Sequence, residues 1–276
     1  MKSPAREAGL FSVASENDPM DDELPLGGNI SSAVRVGSTV RRRGGFWTPA
    51  VHALLDYLAQ QGFEAPRPLG TDERGREVLS WVDGQAVPGW PEPFPEWIYS
   101  QECLRGAAQG LRRYHGLVEG FIPPAGSQWR MPAPVPHEII CHNDWAPYNA
   151  VFRERRPDVM VDWDMASPGT RQWDAAWTAY MWIPLHPEHP GFSLERSADR
   201  VRAFCADYGD LSPVELFDTL LLRLRFSAEF GREQAASGDP GFQKLVHELD
   251  SPGLMERRAE QLQHGGTLRS LLGALV

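Results

Sequence analysis

The chain has 276 residues, of which 42% are hydrophobic and 10% aromatic; this excludes a chain that is disordered throughout and allows one large domain or two lobes. The formal charge of −10 argues against a nucleic-acid partner, because phosphate backbones are bound by concentrated Lys and Arg. No run reaches the roughly 18 apolar residues that cross a bilayer, so no membrane partner is expected.

The first 23 residues follow neither helical nor strand periodicity and end in an acidic cluster, so we expect a flexible tail. They lack the charged and then apolar plan of a signal peptide. Cys103, Cys141 and Cys205 are too scattered for a disulfide framework or a CxxC metal site, which favours a reducing compartment and buried thiols. The expected location is therefore cytoplasmic.

Residues 24–83 carry the pattern of a small antiparallel sheet. Two short strands, over 33–36 and 39–41, flank a tight turn at Gly37, and a further strand is expected over 77–82. The sheet would form the base of an N-terminal lobe.

One amphipathic helix is predicted between these strands. Thr48 is placed as its cap, Pro49 as its first residue, and Gly62 as its end. Its apolar face consists of Val51, Leu54, Leu55 and Leu58. A Pro-rich link without predicted structure leads from the helix to the next strand.

A loose segment over 84–95 marks a shift to a mainly helical composition that continues to residue 276. Apolar positions within 104–114 share one helical face, and the box from Ser212 to Glu215 opens another long helix. We therefore expect an α+β chain with an N-terminal lobe over 24–83 and a larger helical lobe over 84–276.

Polar residues stand at the ends of apolar strands in the middle of the chain. Strands over 150–152 and 159–161, joined by a polar turn, predict a hairpin that brings Asn149 and Asp162 to the same end. Asp144, in the loop just before the hairpin, would face both side chains. The three residues thus form a candidate site.

Phosphoryl transfer from ATP needs oxygen ligands for magnesium and a carboxylate that orients the acceptor hydroxyl. The spacing His142-x-Asp144-x4-Asn149, followed by a hairpin and Asp162, is a variant of the kinase catalytic loop and metal-binding Asp. The pattern indicates a phosphotransferase that uses ATP and Mg²⁺.

Residues 24 to about 180 resemble the aminoglycoside phosphotransferase and choline kinase-like family of small-molecule kinases. The resemblance rests on four elements: His142-Asn143-Asp144 with Asn149, similar to a His-Gly-Asp-x4-Asn loop; Val161-Asp162, similar to Ile-Asp; Trp173-Asp174-Ala175-Ala176, similar to Asp-Ile-Ala; and Gly27-Gly28, similar to the start of a nucleotide-covering loop. It implies a two-lobed protein-kinase-like fold that transfers the γ-phosphate to a small-molecule hydroxyl.

The resemblance also implies a role for each matching residue in the catalytic segment. Asp144 would be the catalytic base, and Asn149 and Asp162 would be magnesium ligands. His142 would hold the backbone of the loop, while Asp174 would act as a structural acceptor at the start of its helix.

On the nucleotide side, the resemblance places a phosphate-contacting cation at Arg41 or Arg42 and the adenine against the backbone of Ser80, Trp81 and Val82. Alternation along a strand lets only one of the two arginines face the cleft. The sequence leaves open which one does, and whether ATP or GTP is preferred.

Three departures from the family pattern matter. Asn143 replaces the usual Gly, which is tolerable because Asn adopts unusual backbone angles readily. The predicted helix has no Glu to pair with the strand cation, so that His52 or Asp56 is the nearest substitute. Asp164 stands where the family often has Gly, which makes it a rival or additional metal ligand.

The acceptor is not specified by the sequence. A cationic acceptor suits the acidic chain, with four acidic side chains of the helical part as candidate contacts: Glu229, Glu233, Glu248 and Asp250. An aminoglycoside-like antibiotic and a metabolite both remain open, and no oligomeric state is predicted. The tryptophans, Trp173 and Trp177 among them, are expected as core anchors, although aromatic walls also suit cations.

Two further functions compete with the kinase. A kinase-like protein could bind nucleotide or ligand without turnover, which the missing helix Glu favours and the retained Asp144, Asn149 and Asp162 oppose. A metal-dependent hydrolase would release phosphate without an acceptor, using His142, Asp144, Asp162 and Asp164. Protein-kinase activity is disfavoured because no Ala-Pro-Glu segment follows the hairpin.

Overall fold

The structure is a computed structural model that describes residues 23–27, 33–89, 92–132, 136–185, 189, 191–264 and 266–274. The tail expected over 1–23 lies outside these residues except for Glu23, as does Gly28 of the glycine pair. The N-terminal part holds the following elements: β1 (Leu24–Pro25), β2 (Val34–Val36), β3 (Thr39–Arg42), α1 (Thr48–Gln60), β4 (Pro68–Thr71) and β5 (Glu77–Ser80).

The five strands form one antiparallel sheet in the order β1-β2-β3-β5-β4. β3 pairs with β5 so that Thr39 lies opposite Ser80 and Arg42 opposite Glu77. The three strands predicted from the sequence therefore share one sheet, as expected. The two edge strands were not predicted, because β1 has only two residues and β4 begins with Pro68, a residue confined to sheet edges.

α1 packs its predicted apolar face into the core, where Val51, Leu54, Leu55 and Leu58 are at most 1% exposed. The expectation that Thr48 caps this helix is wrong. The helix begins at Thr48 itself. The Thr48 hydroxyl accepts a hydrogen bond from Gly45 N at 2.9 Å and none from an amide of the first helical turn. The N-cap is Trp47, whose side chain makes no capping bond.

The segment after β5 crosses to the second half of the chain and docks there. Gln85 and Phe152 exchange two backbone hydrogen bonds of 2.9 and 2.7 Å. Gly84 makes this close approach possible, since a Cβ at its position would lie 2.4 Å from Val151 Cγ1, and its φ is +149°. The link between the two halves is thus held against a strand.

The C-terminal part is mainly helical. Its elements are α2 (Gln101–Val118), β6 (Ile139–Cys141), β7 (Ala150–Arg153), β8 (Arg156–Met160), β9 (Ser167–Gly169), α3 (Arg171–Trp182), α4 (Leu194–Tyr208), α5 (Pro213–Ala236), α6 (Pro240–His247), α7 (Ser251–His264) and α8 (Thr267–Gly273). Ser212 caps α5 through the amide of Glu215, as its box predicted.

One contiguous core runs through both halves and includes α1, β5, α2 and the helices that follow. The three cysteines are buried and free, as expected. None of the helices described is both long and apolar enough to cross a bilayer. Two small antiparallel pairs, β6 with β9 and β7 with β8, lie among these helices and carry the residues singled out above.

Candidate active site

The hairpin of β7 and β8 brings Asn149 and Asp162 to one end, as the strand pattern predicted. Ala150 lies opposite Met160, and Val161 N donates to Asn149 O at 2.8 Å beyond that pair. Asp162 follows directly, so both side chains leave the same end of the hairpin.

Asp144 lies against this end and is held by three neutral donors. Its Oδ1 accepts from Tyr148 Oη at 2.7 Å and from Trp177 Nε1 at 3.1 Å, and its Oδ2 accepts from Asn149 Nδ2 at 2.8 Å. Burial raises the pKa of Asp144 to about 6, although the hydrogen bonds from Tyr148 and Trp177 oppose the shift. At neutral pH the side chain is a carboxylate of increased basicity.

Asn149 and Asp162 offer the oxygen donors that Mg²⁺ prefers. The Asn149 amide nitrogen donates to Asp144, which leaves the amide oxygen as the atom that could coordinate a cation. The Asp162 side chain is 37% exposed, and its φ of +57° turns it out of the strand direction. Burial favours a higher pKa for Asp162, but the charge and hydrogen bond of Arg42 hold that pKa below its usual value.

Arg42 lies at the centre of a cluster of ions between the two halves. Its guanidinium donates to three carboxylates: Nε to Glu77 Oε2 at 2.6 Å, Nη1 to Asp162 Oδ1 at 2.7 Å and Nη2 to Asp164 Oδ1 at 2.6 Å. Burial disfavours the charged form, but these carboxylates raise the pKa of Arg42 above its ordinary value. A permanent cation therefore lies beside the candidate metal ligands.

Of the two arginines left open by the sequence, Arg42 is the one that contacts Asp162 at the end of the hairpin. Its side chain is 4% exposed, whereas the Arg41 side chain is 26% exposed and its Nη1 lies 3.8 Å from Asp72 Oδ2. The alternation of β3 separates them, because successive side chains point to opposite faces.

The carboxylate partner of the strand cation is Glu77 on β5, so neither substitute proposed on the helix takes that place. His52 contacts Glu77 Oε1 through Nε2 at 2.7 Å and thus supports the pair indirectly, while Asp56 is exposed. The sequence offered one signal for Glu77: it is the only charged residue of the predicted strand over 77–82. Glu77 is 2% exposed, and its pKa is lowered because bonds from His52 and Arg42 outweigh burial.

Asp164 is more enclosed than Asp162. Its Oδ1 accepts from Arg42, its Oδ2 lies 3.6 Å from Arg130 Nη1, and its side chain is 7% exposed. Burial and the nearby Asp162 raise the pKa of Asp164 to about 6. The geometry makes Asp164 a partner of two guanidinium groups and Asp162 the more accessible carboxylate.

The backbone of the catalytic loop is held by Asp174 in the first turn of α3. Asp174 Oδ2 accepts from His142 N at 2.7 Å and from His115 Nε2 at 3.0 Å, and its Oδ1 accepts from Asn143 N at 2.8 Å. Although burial opposes ionisation, the hydrogen bonds from His115 and from the backbone of His142 keep the pKa of Asp174 below its usual value.

His142 lies inside the loop and is fully buried. Its Nδ1 accepts from Asp144 N at 3.2 Å, and its ring packs edge-on against Trp163 with centroids 4.5 Å apart. Burial lowers the pKa of His142 to about 4, so the ring is neutral. Asn143 takes the left-handed conformation expected of it, with φ of +65°, and its Nδ2 donates to Met165 O and Ser167 Oγ.

Two side chains at Asp144 were not identified as site residues from the sequence. Trp177 was expected as a core anchor and is 6% exposed, but its indole N–H also donates to Asp144. The Tyr148 hydroxyl donates to the same oxygen of Asp144. The spacing of Tyr148 within the loop could have indicated it, since it lies four residues after Asp144 and directly before Asn149.

On the nucleotide side, the N–H groups of Ser80 and Trp81 already donate to Arg67 O and Ser38 O at 2.9 Å. Gly27 follows β1 with φ of +76° and open space around its Cα.

The four acidic candidates for an acceptor site are exposed, Glu229 and Glu233 on α5, and Glu248 and Asp250 between α6 and α7. Glu229 lines a pocket of about 400 Å³ between α5 and α7 with Arg225, Arg232, Glu256 and Glu260. Asp250 accepts from Arg257 at 2.9 Å. The groups in contact with Asp144 are instead aromatic and amide donors.

A sequence profile described as the phosphotransferase enzyme family matches residues 127–217, the stretch that contains the loop, the hairpin and α3. The trifolitoxin immunity protein of Rhizobium leguminosarum bv. trifolii is 34% identical to this chain over 203 residues, which cover 69% of this chain and 75% of that protein.

Solved structures share the fold. A choline/ethanolamine kinase family protein from Mesorhizobium loti aligns with a TM-score of 0.62 and 19% identity over 92% of both chains. An amicoumacin kinase in complex with AMP-PNP, Ca²⁺ and Ami aligns with 0.64 and 13% identity over 90% of this chain and 89% of that one. The choline kinase of Cryptosporidium parvum Iowa II aligns with 0.58 and 11% identity over 91% of both chains. The kinase-like α+β fold expected from the sequence is thereby confirmed.

Proposed function

Since this chain belongs to the phosphotransferase enzyme family of small-molecule kinases, we propose that it transfers the γ-phosphate of ATP to a hydroxyl group of a small molecule. The observation that carries the proposal is the joint placement of Asp144, Asn149 and Asp162 at one end of the hairpin, beside the buried cation Arg42. Chemistry of this kind requires a base, two oxygen ligands and a cation.

Asp144 is the proposed base. Its raised pKa and its three neutral hydrogen-bond donors suit a carboxylate that orients an acceptor hydroxyl and takes its proton as the oxygen attacks phosphorus. His142 is neutral and bound to the amide of Asp144, which supports a role inside the loop over one as the base.

Asn149 and Asp162 are the proposed holders of Mg²⁺, with Asp164 as a partner of Arg42. These two residues would hold magnesium through their oxygen atoms, and the ion would supply positive charge to the phosphates of the nucleotide. The Asn149 amide oxygen and the half-exposed Asp162 carboxylate match its preference for oxygen donors. The AMP-PNP and Ca²⁺ in the amicoumacin kinase structure support a nucleotide and a divalent cation in this fold.

Arg42 is the proposed phosphate contact. A guanidinium has five N–H donors, and the three bonds to carboxylates leave two for phosphate oxygens. The Gly27-Gly28 loop would cover the nucleotide, and the adenine would lie against the Ser80 to Val82 stretch, with Val82 N as donor. We place the reaction in the cytoplasm, where ATP is available.

We further propose that the acceptor is a toxin or antibiotic. The support is the name of the relative that is 34% identical, an immunity protein against trifolitoxin. The same relative keeps a second function open: protection by binding the toxin without turnover. A binding protein would not need a base at Asp144, and this requirement separates the two.

The test is a screen for ATP consumption with hydroxyl-bearing acceptors, including aminoglycosides, choline and ethanolamine, followed by mass spectrometry of the product. Asp144→Asn is the matched control. A phosphorylated acceptor formed by the parent protein and not by this variant is the expected result. Acceptor binding by both proteins with no product would favour the binding protein. Phosphate release without an acceptor would favour the hydrolase.

A further inference from the structure

Arg223 on α5 is a buried cation directly behind the catalytic loop. It is 1% exposed; its Nη2 donates to Asn143 O at 3.0 Å and its Nη1 to Ser227 Oγ at 3.0 Å. In the part of the chain that the structure describes, none of its hydrogen bonds or ring contacts involves a carboxylate. A guanidinium without an ion-pair partner is costly to bury.

Aromatic faces surround the Arg223 guanidinium, and the nearby charges of Asp174 and Asp144 favour its charged form without a direct hydrogen bond. The Arg223 guanidinium carbon lies 5.0 Å from the ring centre of Trp173, 4.9 Å from that of Trp177 and 5.6 Å from that of Phe226. Such faces attract a desolvated cation. Burial lowers the pKa of Arg223 to about 10, which still leaves it charged at neutral pH.

Two short routes connect Arg223 to Asp144. Through the backbone, it holds the carbonyl of Asn143, the residue directly before Asp144. Through the side chains, it lies against the indole of Trp177, whose Nε1 donates to Asp144 Oδ1 at 3.1 Å. A cation against the indole draws electron density from the ring and strengthens the N–H as a donor.

We propose that Arg223 is a positioning residue for phosphoryl transfer, which fixes the Asp144 carboxylate through the Asn143 carbonyl and the Trp177 indole. The inference rests on the proposed function, in which Asp144 orients the acceptor hydroxyl. Correct geometry of such a group matters because a misplacement of about 1 Å can lower the rate about 10²-fold.

The test compares Arg223→Met, Arg223→Lys, Trp177→Phe and the double variant Arg223→Met/Trp177→Phe. We expect Arg223→Met to lower kcat about 10²-fold with the KM for ATP within a few-fold of the parent. Lysine keeps the charge but lacks the planar fork, so Arg223→Lys should lose less. The loss in kcat of the double variant should be smaller than the product of the two single losses, because residues in one network are not additive.

The matched control is Arg200→Met. Arg200 lies on α4, is also buried, and contacts the aromatic ring of Phe192. This variant should lower stability without changing kcat. The proposal would be overturned if Arg223→Met had the same kcat as the parent. It would also be overturned if Arg223→Met and Arg200→Met lowered kcat by the same factor.

A second readout does not depend on activity. The Trp177→Phe variant identifies the Trp177 indole N–H among the signals of the ten tryptophans in a ¹H–¹⁵N spectrum. In Arg223→Met this signal should move upfield and exchange faster with solvent, while Arg200→Met leaves it in place. Where Arg223→Met does not fold, Arg223→Lys carries the same comparison. An unmoved Trp177 signal contradicts the proposal even if the parent turns over no acceptor, whereas a moved signal together with an inactive parent would count against the proposed function alone.

Discussion

Arg42 on β3 and Glu77 on β5 lie directly opposite each other in the sheet, and Arg42 Nε donates to Glu77 Oε2 at 2.6 Å. Protein kinases pair the strand cation with a glutamate from a helix, whose position can change. Here the register of two adjacent strands fixes the pair. The orientation of Arg42 toward Asp162 therefore depends first on sheet pairing, and α1 contributes through the contact of His52 with Glu77.

The first prediction concerns this pair. Glu77→Gln removes the charge but retains hydrogen bonding, so we expect the free energy of unfolding to fall by about 1–3 kcal/mol and magnesium-ATP to bind more weakly. Urea denaturation and calorimetric titration measure the two effects. Glu64→Gln is the control, because Glu64 pairs with Arg153 on the surface with 57% exposure and should cost less than about 1 kcal/mol. Equal losses in both variants would show that burial of the Glu77 pair does not matter.

The second prediction concerns the metal. ATP should raise the melting temperature only when magnesium is present. At a ligand concentration one hundred times the dissociation constant, binding adds about 2.7 kcal/mol to the free energy of unfolding. Asp162→Ala should abolish this gain, since it removes a proposed ligand. Asp158→Ala, which removes an exposed carboxylate of β8 that pairs with Arg153, should retain it. If Asp162→Ala keeps the full magnesium-dependent shift, Asp164 is the ligand to test next.

The third prediction separates chemistry from nucleotide binding. Asp144→Asn preserves size and removes the charge, so turnover should fall by roughly 10² or more while the nucleotide dissociation constant changes within a few-fold. Asn149→Ala should weaken magnesium-ATP binding and turnover together, because it removes a proposed metal ligand. Turnover at saturating ATP and nucleotide titration of both variants provide the measurement. An Asp144→Asn protein as active as the parent would disprove the base assignment.

The fourth prediction concerns pH and His142. The unfolded chain takes up a proton near the ordinary histidine pKa of 6.5, but burial keeps His142 neutral in the folded protein down to about pH 4. Stability is therefore lost as the pH falls from about 6.5 toward 4. Between pH 7 and 5 the parent should lose about 2 kcal/mol more than His142→Gln, whose side chain does not titrate. Urea denaturation at both pH values measures this, and parallel curves for the two proteins would contradict it.

Much of the site was predictable because its parts are close in sequence. The apolar strands around a polar turn predicted the hairpin, and its register sets Asn149 and Asp162 at one end. Asn143 at a position that needs a positive φ was also foreseen from its side chain. These features depend on local backbone preferences, which a sequence expresses directly.

The partners of the site residues were decided by the tertiary structure. Glu77 is 35 residues from Arg42 and meets it only because β3 and β5 pair in one register, which the separate strand patterns do not specify. Arg223 is 80 residues from Asn143, and its contact requires the packing of α5 against the catalytic loop. The sequence pattern indicates only a core residue at Trp177. Its indole N–H donates to Asp144 because α3 packs behind the catalytic loop. The sequence determines which groups can do the chemistry, and long-range packing determines which charges and donors surround them.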